Sequence, residues 1–314
     1  MSSMARAIES DCVTVDDGDA PHAAASFFVV DLCGRHAAAA TMTLVGPEPH
    51  TVRIATCDAR LKRFDGGVTL DSAASLLTEP FAWLAPEATG IRARIWGRRL
   101  GLSPDDGRIL VTGGVATGEE VMRVILDGLL RPFTELRTAN YRAAVIVPAC
   151  APPETWILVR QIMNERRIRT DVVSESLAIV SGRDELEPGK HVLTVHVTDL
   201  EARVSLVAPP GQLVATHELL DNGQAAARAF SGPTADEELM RANERIAVAC
   251  HALAANIDLG MEGVQAVVVS SDEPPWRSLA SSLRGLLGRP VVECEGPWDR
   301  IVGAARRLVA FKAV

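Results

Sequence analysis

The chain has 314 residues, of which 47% are hydrophobic and 23% charged, and its formal net charge is −8. This balance excludes a disordered chain, and the length exceeds what one core usually supports, so two lobes are expected. The acidic charge excludes a general nucleic-acid role, which needs a basic field. The local run Arg92, Arg94, Arg98 and Arg99 reads as a solvated face. Six cysteines lie scattered without CxxC spacing, which suggests neither a zinc site nor a disulfide framework and fits a reducing cytoplasm.

Residues 1–25 read as a flexible, acidic extension with no secretion signal. Three strands are then expected over 26–32, 37–45 and 51–57, a meander with a turn at Cys33–Arg35. A helix is expected over 72–83, and 85–114 has no clear pattern. The periodic apolar residues Val121, Val124, Ile125, Leu129 and Leu130 predict a helix over 117–136, with Pro132 as a kink or break. A buried strand over 143–148, a helix over 154–164, a strand over 170–173 and a short helix over 175–181 complete the first half.

The second half repeats the plan. Strands are expected over 191–197, 203–208 and 213–218, then a long helix over 235–257. A buried strand over 264–270, a helix over 276–287, a short strand over 291–293 and a last helix over 299–311 follow. Repetition of one supersecondary plan points to a duplicated α/β architecture. No apolar run reaches the roughly 18 residues of a membrane span.

Candidate chemistry is sparse. The stretch 182–191 has the wrong glycine spacing for a Walker loop. Gly113, Gly114 and Gly118 precede a helix, but Glu119 and Glu120 would repel phosphate there. His191 and His196 have odd spacing on a strand and face opposite sides, which opposes a shared metal. Cys33 and His36 flank the first turn as a conceivable thiolate–imidazole pair without an orienting third group. His196 followed by Asp199 is an acid–base pair by spacing, and a packed histidine is the simpler reading.

Seven strings, in order, resemble the actin, Hsp70 and sugar-kinase superfamily, most of all its bacterial MreB-like branch. VVDLCGRHAAAATM (29–42) resembles the phosphate-1 motif, a strand ending in I-D-L-G-T-x-N-T. Asp31 matches, Cys33 replaces a glycine, Gly34 lies in the turn, and His36 falls on the asparagine. GGVATGEEVMRVIL resembles the helix-entry segment, and AAVIVPACAPPETWILVRQIM the strand and helix after it. DVVSESLAIVSG resembles I-E-E-P-x-A-A-A-I-G, with Glu175 on its second glutamate. HVLTVHVTDLEARVSLV resembles phosphate-2, with His196 in the aspartate position and Thr198, Asp199 and Leu200 in place of three glycines. VQAVVVSSDEPPWRSLASSL resembles the adenosine motif, with Ser271, Asp272 and Glu273 for its glycines; PVVECEGPWDRIVGAARRL resembles the last strand and helix.

The resemblance implies an actin-like (ribonuclease H-like) duplicated two-lobe α/β fold. The first lobe would span 26–185, with 58–114 as a small subdomain or insertion. The second would span 186–314, its small subdomain reduced or absent. It implies ATP with Mg²⁺ as the ligand, Asp31 near the metal and Glu175 as a weak catalytic candidate. The departures argue against efficient turnover. Glycines let backbone N–H groups approach phosphates, and a like charge about 4 Å away costs on the order of 4 kcal/mol, roughly three decades of affinity. A histidine does not replace a hard oxygen ligand of Mg²⁺. The expectation is a cytoplasmic cytoskeletal or scaffold protein with a degenerate nucleotide site, associating with itself or with another assembly protein. The alternatives are an active ATPase of the same superfamily, filament-forming or Hsp70-like, and a sugar-kinase-type enzyme. An emptied cleft would be lined by Asp31, His36, His196 and Asp199, and filled by a bulky side chain such as Leu200 or Trp276.

Overall fold

The computed structural model describes residues 26–33, 37–45, 48–57, 60–64, 67–71, 108–111, 114–130, 133, 141–151, 153–187, 189–197, 201–209, 211–220, 235–271 and 277–310. The chain is mixed α/β. Two five-stranded mixed sheets carry the fold, and both have the same strand order.

The first sheet begins with β1 (Ser26–Asp31), β2 (Ala37–Val45) and β3 (Glu48–Cys57), an antiparallel meander. Two hairpins follow, β4 (Arg60–Phe64) with β5 (Gly67–Asp71), and β6 (Arg108–Val111) with β7 (Gly114–Thr117). After α1 (Gly118–Leu130), β8 (Arg142–Val147) joins β1 in parallel. After α2 (Pro153–Glu165), β9 (Thr170–Ser174) closes the order β3-β2-β1-β8-β9, and α3 (Glu175–Ser181) leaves it directly. The second sheet repeats this with β10 (His191–Val197), β11 (Glu201–Ala208) and β12 (Gln212–Leu220). Then come α4 (Ala235–Ala255), β13 (Val264–Ser271), α5 (Arg277–Leu287), β14 (Val291–Glu295) and α6 (Gly296–Ala310), in the order β12-β11-β10-β13-β14.

The central strands are apolar on both faces, as strands covered on both sides must be. On β1, Phe28 and Val30 pack outward with Met122, Ile125, Leu126 and Leu129 of α1 and Leu158 and Ile162 of α2. Phe27 and Val29 face inward, and there the cover is α6, through Ile301, Ala304, Ala305 and Leu308. The alanines of β2 keep that face shallow, so the helix backbone lies close to the sheet. The arrangement is exchanged between halves. α6 grows out of the second sheet and covers the first, whereas Ile179 of α3, which grows out of the first, packs on Val192 and Val268 of the second.

The two inner helices cross at glycine. A Cβ on Gly303 would overlap the Ala178 carbonyl oxygen, and one on Gly182 would stand 2.7 Å from the Asp299 carbonyl. Only glycine permits this approach. Arg183 pairs with Asp299, and Arg306 with Asp184 at 2.8 Å, flanking the crossing.

Several expected boundaries shift. The helix expected over 117–136 ends at Leu130, and the Phe133 N–H bonds the Leu130 carbonyl at 3.0 Å. Pro132 has no N–H to give and disfavours helical geometry in the residue before it, which explains the early stop. The third strand starts at Glu48 rather than 51, and the last helix starts at Gly296 rather than 299. The two hairpins within 58–117 were not expected. The extension 1–25, the helix expected over 72–83 and the link before α4 (221–234) lie outside the described residues. No helix among the described residues is long and apolar enough to cross a membrane.

Candidate functional site

The C-terminal ends of the central strands of both sheets meet at the middle of the molecule. β1 ends at Asp31, whose Oδ1 accepts the Cys33 N–H at 2.9 Å and so fixes the turn. At the matching point of the second sheet stands His196, in register with Arg203 on β11 and Ser270 on β13. Glu175 opens α3 from the end of β9. Arg300 lies one turn into α6.

These side chains form one buried network. Arg300 Nε donates to Asp31 Oδ2 at 2.8 Å, and its Nη1 donates to Ser270 Oγ at 3.2 Å. Arg203 Nε donates to Glu175 Oε1 at 2.8 Å, and its Nη2 donates to the Cys33 carbonyl at 3.1 Å. His196 sits between them. Its Nε2 is 3.3 Å from the Cys33 carbonyl, and its Nδ1 is 3.5 Å from Arg300 Nη1. Arginine only donates and a carbonyl only accepts, so both contacts are met by a neutral imidazole carrying its proton on Nε2. All four charged side chains are fully excluded from water.

Every anion comes from residues 26–185 and every cation from 186–314. Each ion pair therefore ties one half to the other. Desolvating such charges is costly, and a buried pair is tolerated when further hydrogen bonds satisfy it, as the Cys33 and Ser270 contacts do here. One acceptor is left over. Glu175 Oε2 has no hydrogen-bond partner of normal geometry, although the Ala149 N–H acts on the carboxylate. Burial pushes the Glu175 carboxyl above its ordinary range, against the lowering fields of Arg203, Arg300 and that N–H. Burial, with the carboxylates of Asp31 and Glu175, also pushes the Cys33 thiol well up, despite both arginines. A thiol so held is not a ready thiolate, and His36 lies outside the described residues.

Four of the residues singled out from sequence thus come together: Asp31, Cys33, Glu175 and His196. Ser271 follows Ser270 on β13 and is half-buried. Gly34, His36, Thr198, Asp199 and Asp272 lie outside the described residues, as do Leu200 and Trp276. The groups found between Asp31, Glu175 and His196 are the guanidiniums of Arg203 and Arg300, which the sequence reading missed. Both interrupt otherwise buried apolar positions, Arg203 within the strand ARVSLV and Arg300 beside Ile301 in the last helix. That pattern was the available signal.

The donor set does not suit Mg²⁺. Both Asp31 oxygens already accept hydrogen bonds, and two fixed cations stand beside them, where a divalent ion needs free oxygens. No group of three His, Cys, Asp or Glu side chains is placed to hold a metal among the described residues. No protein-family model matches the chain, and no curated protein matches it. The geometry therefore carries the functional argument.

Proposed function

We propose that this chain is a divergent, MreB-like member of the actin superfamily that serves as a cytoskeletal or scaffold protein and has given up ATP turnover. The equal strand order of the two sheets and the exchange of the inner helices support a duplicated actin-like fold. The observation that carries the functional reading is the pair of buried bridges, Arg300–Asp31 and Arg203–Glu175. They occupy the ends of the strands where the resemblance would put nucleotide phosphates, and they do chemically what such a ligand would do. A bound nucleotide draws two lobes together through its charge; here two buried carboxylates of the first half pair with two guanidiniums of the second.

Titration calorimetry with ATP and Mg²⁺ tests this. The expected result is no heat and no thermal shift at millimolar ATP. A micromolar dissociation constant would overturn the reading. It would favour the active ATPase, for which the supporting observation is a buried carboxylate oxygen, Oε2 of Glu175, that no side chain bonds. Assembly is tested separately, by concentration-dependent pelleting without nucleotide. A strict monomer at high concentration removes the scaffold reading of self-association.

A further inference from the structure

Away from the central network, a cavity of about 880 Å³ opens beside β9, which is the edge strand of the first sheet among the described residues. Arg142, Arg160, Arg169 and Arg307 line it, with Asp171 as the one acid, while Tyr141, Trp156 and Leu308 give it an apolar wall. Arg142 donates to the Leu308 carbonyl, and Arg307 Nη2 donates to the Gly211 carbonyl at 3.1 Å. Arg160 and Arg169 are exposed and make no ion pair among the described residues. Four guanidiniums against one carboxylate leave a basic concavity on an acidic protein, and an anionic occupant is the complement.

The chain carries such an occupant. Residues 9–19 (ESDCVTVDDGD) hold Glu9, Asp11, Asp16, Asp17 and Asp19 with no basic residue, and Val13 and Val15 alternate between them. The same chain enters the first sheet at Ser26, where Phe27 stands in register with Arg142 and Ala143 with Thr170. Ser26, to which the acidic stretch is tethered, therefore stands at the end of the sheet where the cavity lies. Two strand spacings, about 10 Å, separate β1 from β9. The seven-residue step from Asp19 to Ser26 reaches about 23 Å when extended. A tether of this length gives an effective concentration near the millimolar range, so even a weak contact is populated.

We propose that the acidic stretch 9–19 docks in cis into the arginine-lined cavity beside β9, its carboxylates on Arg160 and Arg169 and its valines on the apolar wall. The proposal does not depend on the actin-like reading. Hydrogen exchange read by mass spectrometry on the full chain tests it. At low salt, amides of 9–19 should exchange about tenfold slower than in the full-length double variant R160E/R169E. Raising NaCl to about 0.5 M should remove most of that protection. Adding D16R/D17R to R160E/R169E should restore it. Equal exchange of 9–19 in the wild type and in R160E/R169E overturns the proposal. So does protection that grows with protein concentration, which would assign the occupant to a second copy. If R160E/R169E loses protection throughout β8 and β10, the same comparison is made with R160Q/R169Q, where a charge-dependent contact still predicts faster exchange.

Discussion

The two sheets are built alike and finished differently. At one register of the first sheet stand Ala38, Asp31 and Ile146; at the matching register of the second stand Arg203, His196 and Ser270. The first row offers a single acid between apolar neighbours. The second offers a cation, an imidazole and a hydroxyl. The two frames share one strand order, and they differ in charge at the strand ends. The rows meet through the turn after Asp31, where the Cys33 carbonyl accepts from Arg203, and each charge is paired from outside its row, Asp31 by Arg300 and Arg203 by Glu175.

The comparison breaks most completely if one half of a bridge is removed. Arg300→Met takes the bridging guanidinium from the buried Asp31 carboxylate, and we expect a loss of about 3–5 kcal/mol in urea unfolding. Restoring balance with Asp31→Leu in the same chain should recover most of it, since a buried pair replaced by apolar groups is often neutral. A double-mutant result no better than Arg300→Met alone would show that the pair does not act as a unit. Gly303→Ala attacks the same junction sterically. It should cost about 3 kcal/mol, by forcing α6 off α3, and a wild-type urea midpoint would show that the crossing is looser than described.

Arg203→Met sharpens the contrast between the bridges. Its partner Glu175 already has a raised carboxyl, so it can take up a proton when the guanidinium leaves. The loss at pH 7 should be smaller than for Arg300→Met and should shrink as pH is lowered. The sign follows from linkage. A carboxyl whose folded pKa is raised contributes stability that is complete below its unfolded value near 4.5 and lost as pH rises through the folded one. A loss that grows toward acid would contradict it.

The smallest effect is expected at the surface. Glu165 of α2 takes Arg123 Nη2 of α1 at 3.0 Å, and this bond and Gln161 lower its carboxyl to about 2. Here the linkage runs the other way: the contribution is present above 4.5 and lost as pH falls toward 2. Glu165→Gln should slightly flatten the acid limb of the stability curve, and salt should erase the difference because the pair is exposed. An unchanged acid limb at low salt would show that the bridge contributes nothing.

Legibility followed the same division. The alternation and apolar runs of β1, β2, β8, β10 and β13 were readable because burial on both faces leaves little ambiguity in composition. Asp31, Glu175 and His196 were singled out by their places in the strings that resemble the phosphate and I-E-E-P motifs. Arg203 and Arg300 were not, because an arginine on a strand or helix ordinarily snorkels to water. Its burial depends on a partner some 28 or 269 residues away, which no local pattern encodes. The β4–β5 hairpin was missed for another reason. Its strands are rich in charge, and the signal lay in the Asp65-Gly66 dipeptide between them, a favoured hairpin turn.

The exchanged inner helices have a consequence for synthesis. The inner face of the first sheet, with Phe27, Val29 and Ile146, receives the part of its cover that Ile301, Ala304, Ala305 and Leu308 give only when residues 296–310 have been made; Ala178 of α3 packs there too. For most of translation that face has only the short α3 beside it, however complete the first sheet is. A nascent chain paused before α6 should bind a hydrophobic dye strongly and lose that binding when the last helix is released from the ribosome. The first half is thus begun early and finished last, and a chaperone has reason to wait beside it.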